Sequence, residues 1–201
     1  GRREVAVHDL ELLAALVAGT KTLSVTPKTA GTATFTSTDI TNGAMTANTS
    51  PAATINTGAF TKLLILLPGE TTAPGTPTGK TGAPSAQTAG GSFNVTVIAV
   101  DANWNPVTST DTVGITSTDP NAGLPVNAAL VAGTKTFSIT PKTAGSPTFT
   151  ATDITSGSMT ANTSPATTVN AGAFAKLQLL MPGETAAPGT ASGKTGSPSA
   201  E

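Results

Sequence analysis

GGSFNVTVIAVDANWNPVTSTDTVGITSTD, residues 90–119, is written once in a chain that otherwise largely repeats itself. LVAGTKT begins at Leu16 and again at Leu130, a step of 114 residues (130 less 16). The step holds without a gap to the end, where GKTGAPSA at residues 79–86 becomes GKTGSPSA at residues 193–200. A fixed period of this kind marks a chain assembled from copies of one folding unit. On that period, residues 59–173 are one complete unit. Residues 1–58 correspond to the second half of another, and residues 174–201 to the first strand and Pro/Gly/Thr-rich connection of a further one.

The unique stretch also sets the fold class. SFNVTVIAV alternates apolar and polar positions with period two, the mark of a half-buried strand, and DANWNP is a tight connection after it. Residues 113–118, 129–141, 148–153 and 159–169 read as further strands. Short strands at this spacing, with turn signals between them and no helical period, predict an all-β chain of tandem β-sandwiches. Composition agrees. Thr makes up about a fifth of the chain, while charged residues are 10% and aromatics 3%. Thr and Val suit pleated surfaces, and low charge argues against disorder.

At several apolar positions the two copies differ yet stay apolar: Leu23 becomes Phe137, Val25 becomes Ile139, and Ile65 becomes Leu179. Volume-conserving exchanges of this kind are what a shared core tolerates. Phe35 and its counterpart Phe149 are expected to face inward, as are Phe60, Leu63, Ile65 and Leu67. Leu64 becomes Gln178, so alternation assigns that position to solvent. Residues 71–89, rich in Pro, Gly and Thr, are expected to form an extended connection crossing from one sheet to the other, burying no core. Residues 1–15 do not match their counterpart. ELLAALVAG permits a short amphipathic helix, whereas REVAVHD alternates like VTVIAVDA at residues 95–102, and the period-two rule favours a strand.

FNVTVIAVDANWNPV, STDTVGITSTD, TKTFSITPKTAGSPTFTATD and TTVNAGA together resemble the bacterial immunoglobulin-like repeats of surface proteins, of the invasin and intimin type. The likeness extends over most of the chain from about residue 16. It departs from the family pattern at Trp104-Asn105 and in the long connection at residues 71–89. The resemblance implies Ig-like sandwiches, an extracellular or cell-surface location, and a spacer or adhesive stalk. It supplies no catalytic residues.

Chemistry is sparse in the sequence itself. The single His8 lies in the atypical N-terminal stretch, so no nucleophile–base pair recurs with the repeat, and no enzyme is expected. Glu70 and Glu184 occupy PGE turns, and Asp39 and Asp153 end strands, as turn chemistry asks. Asp101, Asn103 and Asn105 have the spacing that opens a calcium loop but lack its Gly and bidentate Glu, so calcium is a minor candidate beside a plain strand connection. Trp104, the only Trp, is a contact candidate for a sugar, a neighbouring domain or a subunit, or else packs on Pro106. Lys62 and Lys176 sit among apolar residues, as crosslinking lysines do in some Ig-like domains, but no acid recurs within an apolar strand to assist. Snorkelling is the alternative. Asn48, Asn94 and Asn162 head glycosylation sequons, which a Thr-rich chain also produces by chance.

A net charge of −1 gives no electrostatic case for nucleic acid or an anionic membrane. With no Cys there is no disulfide and no thiolate site. The longest apolar run, LLILLP at residues 63–68, falls far short of the roughly 18 residues of a membrane helix. With neither an initiator Met nor a signal peptide, the chain reads as mature or trimmed. Two readings follow for the partial units. In one, the AFAKLQLLMPGE strand of one subunit completes the half-unit of the next, building a head-to-tail filament from copies of itself. In the other, the chain is a window of a longer array. An adhesive or glycan-binding module is the alternative function.

Overall fold

The computed structural model describes residues 4–7 and 10–199. Among them every regular element is a strand, in several small sheets. The chain divides into two compact units, Gly1–Thr57 and Gly58–Glu201.

The first unit holds β1 (Glu4–Val7), β2 (Leu10–Ala15), β3 (Gly31–Ala33), β4 (Thr36–Asp39), β5 (Asn48–Thr49) and β6 (Ala53–Ile55). The second starts with β7 (Lys62–Leu66), the paired β8 (Glu70–Thr72) and β9 (Lys80–Gly82), β10 (Gln87–Thr88) and β11 (Phe93–Val100). It continues with β12 (Thr112–Ser117), β13 (Ala128–Ala129), β14 (Thr134–Ile139), β15 (Phe149–Asp153), β16 (Asn162–Thr163) and β17 (Val169–Asn170). A final hairpin is made of β18 (Glu184–Ala186) and β19 (Lys194–Gly196).

In the second unit a three-stranded sheet, β14-β11-β7, shares a core with a four-stranded sheet, β13-β12-β15-β16. Alternation supplies the side chains. Phe93, Val95, Val97 and Ala99 of β11 point into the core with Leu63, Ile65, Phe137 and Ile139, and meet Val113, Ile115, Phe149 and Ala151 from the other sheet. Phe93 and Phe149 meet edge to face, 5.6 Å between centroids. Inward placement of Leu63, Ile65 and Leu67 agrees with the period-two reading, and Phe60 packs half-buried against the same cluster. Leu64 does not follow it. It is 0% exposed, on the opposite face of the same sheet with Ile98 and Val100, under Trp104. Alternation fails because the sheet is covered on both sides, and the unbroken run LLIL is what such a strand carries.

The connection after β7 is also more ordered than its composition suggests. β8 and β9 form an antiparallel hairpin, and β10 then pairs in parallel with β17. Glu70 closes the hairpin's base: it ion-pairs with Lys80 at 2.9 Å and accepts from the Leu67 N–H at 3.0 Å. Thr71 and Thr81 hydroxyls meet across the strands at 3.0 Å.

Of the two sheets that enclose the core of the second unit, the described residues of the first reproduce one. Its order β2-β1-β4-β5 matches β13-β12-β15-β16. The pairs Val5↔Ala14, Val5↔Asp39 and Ala6↔Thr38 match Val113↔Ala128, Val113↔Asp153 and Gly114↔Thr152. The N-terminal segment is therefore a strand, as alternation indicates, but it takes the register of β12 rather than that of β11, which VTVIAVDA resembles. Residues 20–25, the counterpart of β14, form no strand here. The reason lies in pairing: among the described strands β14 pairs with β11 alone, and β11 has no copy in this unit. Phe35 is half-buried where Phe149 is 0% exposed.

This difference sets a test. Phe149→Ala is expected to cost about 4 kcal/mol, within the range for emptying a filled aromatic site. Phe35→Ala is expected to leave the same transition in place, with urea unfolding followed by the fluorescence of the single Trp.

Candidate functional site

The unique turn after β11 is built around one carboxylate. Asp101, 3% exposed, accepts from the N–H of Gly58 at 2.8 Å, of Asn103 at 2.8 Å and of Asn105 at 2.9 Å. The Asn105 side-chain amide donates to both oxygens, at 2.9 and 3.2 Å. Burial opposes the charge, but the hydrogen bonds from Gly58, Asn105 and Asn103 outweigh it and hold the carboxyl below the usual carboxylate range. Both oxygens face nitrogen donors. Calcium takes oxygen ligands, so Asp101, Asn103 and Asn105 as arranged do not fit that ion. They form an internal brace tying Gly58, in the segment that leads into β7, to the turn after β11.

Trp104 lies within the same turn. Trp104 has φ 68°, a conformation uncommon for a non-glycine residue, and its ring lies half-buried over the second apolar cluster. Its Nε1 donates to the Pro77 carbonyl at 3.2 Å, and Gly79 packs so closely on the ring that a Cβ there would collide with it. Lys62 places its Nζ 3.5 Å from the ring centroid and donates to the Ala102 carbonyl at 2.8 Å. Desolvation lowers the Lys62 pKa, and the Asp101 charge opposes the shift. The Trp104 ring thus clamps the β8–β9 hairpin onto its own sandwich. Lys62 is engaged with Trp104 and a backbone carbonyl, while Lys176 is exposed.

A second carboxylate organises the other end. Asp119, 6% exposed, accepts from the N–H of Asn121 at 3.0 Å, Lys142 at 2.8 Å and Thr143 at 3.0 Å, joining two loops. Burial again opposes its charge, and the Lys142, Thr143 and Asn121 bonds prevail, lowering its pKa. Asp39 and Asp153 cap the turns after their strands in the same way in both copies. Of the sequon asparagines, Asn48 and Asn94 are exposed, whereas Asn162 uses its Oδ1 to accept from the Ile65 N–H at 2.9 Å. His8 lies outside the described residues.

Sequence reading singled out residues 101–105 and Trp104, and the structure brings them together, as an internal brace and clamp. It missed Lys62 as the ring's partner and Asp119 as a loop organiser. A usable signal for the first was Leu64, Ile98 and Val100 all falling on the supposedly wet face.

No family model matches the chain, and no curated protein does. The likeness to invasin- and intimin-type repeats accordingly rests on the motifs alone. Among solved structures, three share a partial likeness. They are surface-layer protein SbsC domains 1–6 (16% identity, 71% of this chain and 17% of that one, TM-score 0.38), S-layer protein rSbsC(31-844) (17%, 88% and 21%, 0.38) and SbsC domains 4 and 5 (20%, 72% and 59%, 0.33). The chain spans about a fifth of the first two.

Loss of the brace is expected to be expensive. Asp101→Ala removes the charged acceptor of the buried Asn105 N–H and side-chain amide, and should lower stability by about 3 kcal/mol. Because the folded-state pKa is depressed, this contribution is present above the unfolded-state value of about 3.9 and disappears as pH falls through the lower folded value. Urea midpoints of the wild type and of Asp101→Asn should therefore differ at neutral pH and converge in acid.

Proposed function

We propose that this chain is a non-enzymatic structural protein of the bacterial cell surface, made of tandem Ig-like β-sandwiches that associate head to tail. One observation carries the reading. The same repeated sequence is buried where β11 is present and is left open where it is not. Phe174, Leu177 and Leu179 are 84%, 89% and 75% exposed, whereas their counterparts Leu63 and Ile65 are 0% exposed and Phe60 is half-buried. Among the side chains described in the first unit, none is fully buried. Exposed apolar segments and open sheet faces mark association surfaces.

The complete unit supplies the template for such an association. There, β7 runs beside residues 160–162, with the Leu63 N–H donating to the Thr160 carbonyl at 3.0 Å and the Ile65 N–H to Asn162 Oδ1 at 2.9 Å. By the 114-residue step, Leu177 and Leu179 of one copy would meet Thr46 and Asn48 of another, both of which are exposed. Their apolar side chains would then cover Phe35. A glycan-binding role for Trp104 gains no support, because the ring is engaged by Lys62 and by the hairpin.

Sedimentation velocity across a concentration series tests the reading. The wild type should form assemblies that grow with concentration, and the double variant Leu177→Asp, Leu179→Asp should remain monomeric with its Trp fluorescence unchanged. A well-folded wild type that is monomeric throughout would sink the proposal.

A further inference from the structure

The tip of the β18–β19 hairpin is seated in the corner that Asp119 organises. The Pro188 carbonyl accepts from Asn121 Nδ2 at 3.2 Å and from Thr143 Oγ1 at 3.4 Å. Gly189 has φ +84° and lies so close that a Cβ would stand 2.5 Å from Thr143 Oγ1 and 3.0 Å from Asn121 Cβ. Asp119 holds both contacting residues, through the N–H groups of Asn121 and Thr143.

This hairpin is the copy, 114 residues on, of the β8–β9 hairpin, and both tips have one internal geometry. Ala73 N–H to Gly79 O and Ala187 N–H to Gly193 O are both 2.7 Å. Thr76 and Thr190 hydroxyls each donate to the carbonyl three residues back, at 2.7 Å. A tip already fixed in shape loses little conformational freedom on docking. Each tip also makes contacts outside its own hairpin. In the first, Gly75 N–H donates to Asn103 O at 2.8 Å, and Pro77 O and Gly79 meet Trp104. In the second, the Pro188 carbonyl and the Gly189 Cα meet Asn121 and Thr143. The two contact sets use different atoms of the tip, so a single hairpin can hold both together.

We propose that residues 119–121 and 142–143 form a socket for the β18–β19 hairpin, making a hairpin of this type a joint between the sandwich that holds its tip and the unit it opens. The first hairpin shows the clamp, held by Trp104, and the second shows the plug, its Ala-Pro-Gly-Thr tip seated on Asn121 and Thr143. The joint deepens the structural reading above and relies on it only for its purpose.

The absence of Cys allows a direct test with spin labels on Thr136→Cys and Ser197→Cys, both on exposed positions of the full chain. A docked hairpin gives a single narrow distance distribution. Asn121→Ala, which leaves the hairpin sequence untouched, and Gly189→Ala should each abolish the narrow peak, while Trp fluorescence reports an intact sandwich. A broad distribution in the unsubstituted background, or a narrow peak surviving both variants, would overturn the joint. A narrow peak lost in both variants, in a chain that stays monomeric, would uphold the joint and remove the assembly reading.

Discussion

β11 is the strand on which the rest of the structure depends, because it is the central member of its sheet and pairs with β14 on one side and β7 on the other. A strand without a partner leaves its backbone groups to water and its side chains without a facing surface. The chain contains its own comparison. TKTFSI is β14 beside β11, while the nearly identical residues 20–25 form no strand. KLLIL is β7 beside β11, while residues 176–180 form none either. The difference between the copies is thus one of long-range pairing, not of local propensity.

Elements whose bonds are local behave differently. The hairpins β8–β9 and β18–β19 both form, as do the β4–β5 and β15–β16 pairings. In each of these four a pair of Thr hydroxyls meets across the strands, between 2.8 and 3.0 Å. Cross-strand Thr pairs add to sheet stability and need no charge, which gives the high Thr content a structural use. Carboxylates are few and are placed as loop organisers: Asp101 and Asp119 each gather N–H groups from separate segments, at opposite ends of β11–β12.

The all-β class and most inward-facing positions were legible in the sequence because alternation along a strand is a local signal. Leu64 was misread because alternation assumes one wet face, and the covering ring comes from Trp104, forty residues on. Residues 71–82 looked like open connection because the Glu70–Lys80 pair and the Thr71–Thr81 pair are separated by ten positions in a Pro/Gly-rich segment. The N-terminal strand was legible as a strand. Its place was not, since Val5 takes the register of Val113 through pairing with Asp39, which no local pattern encodes. Asp101 and its asparagines carried a calcium-like spacing, yet the spacing does not reveal whether nitrogens or oxygens will face the carboxylate.

The hairpin closed by Glu70 and Lys80 has a consequence for the order in which such a chain matures. Its ends lie ten residues apart, so it can close on the microsecond scale of isolated hairpins, about 1–10 μs. The β11–β14 pairing spans a much longer loop and must await a slower search. During synthesis this hairpin would therefore be shaped before the sheet centred on β11, leaving its own sandwich to close against a piece that is already there.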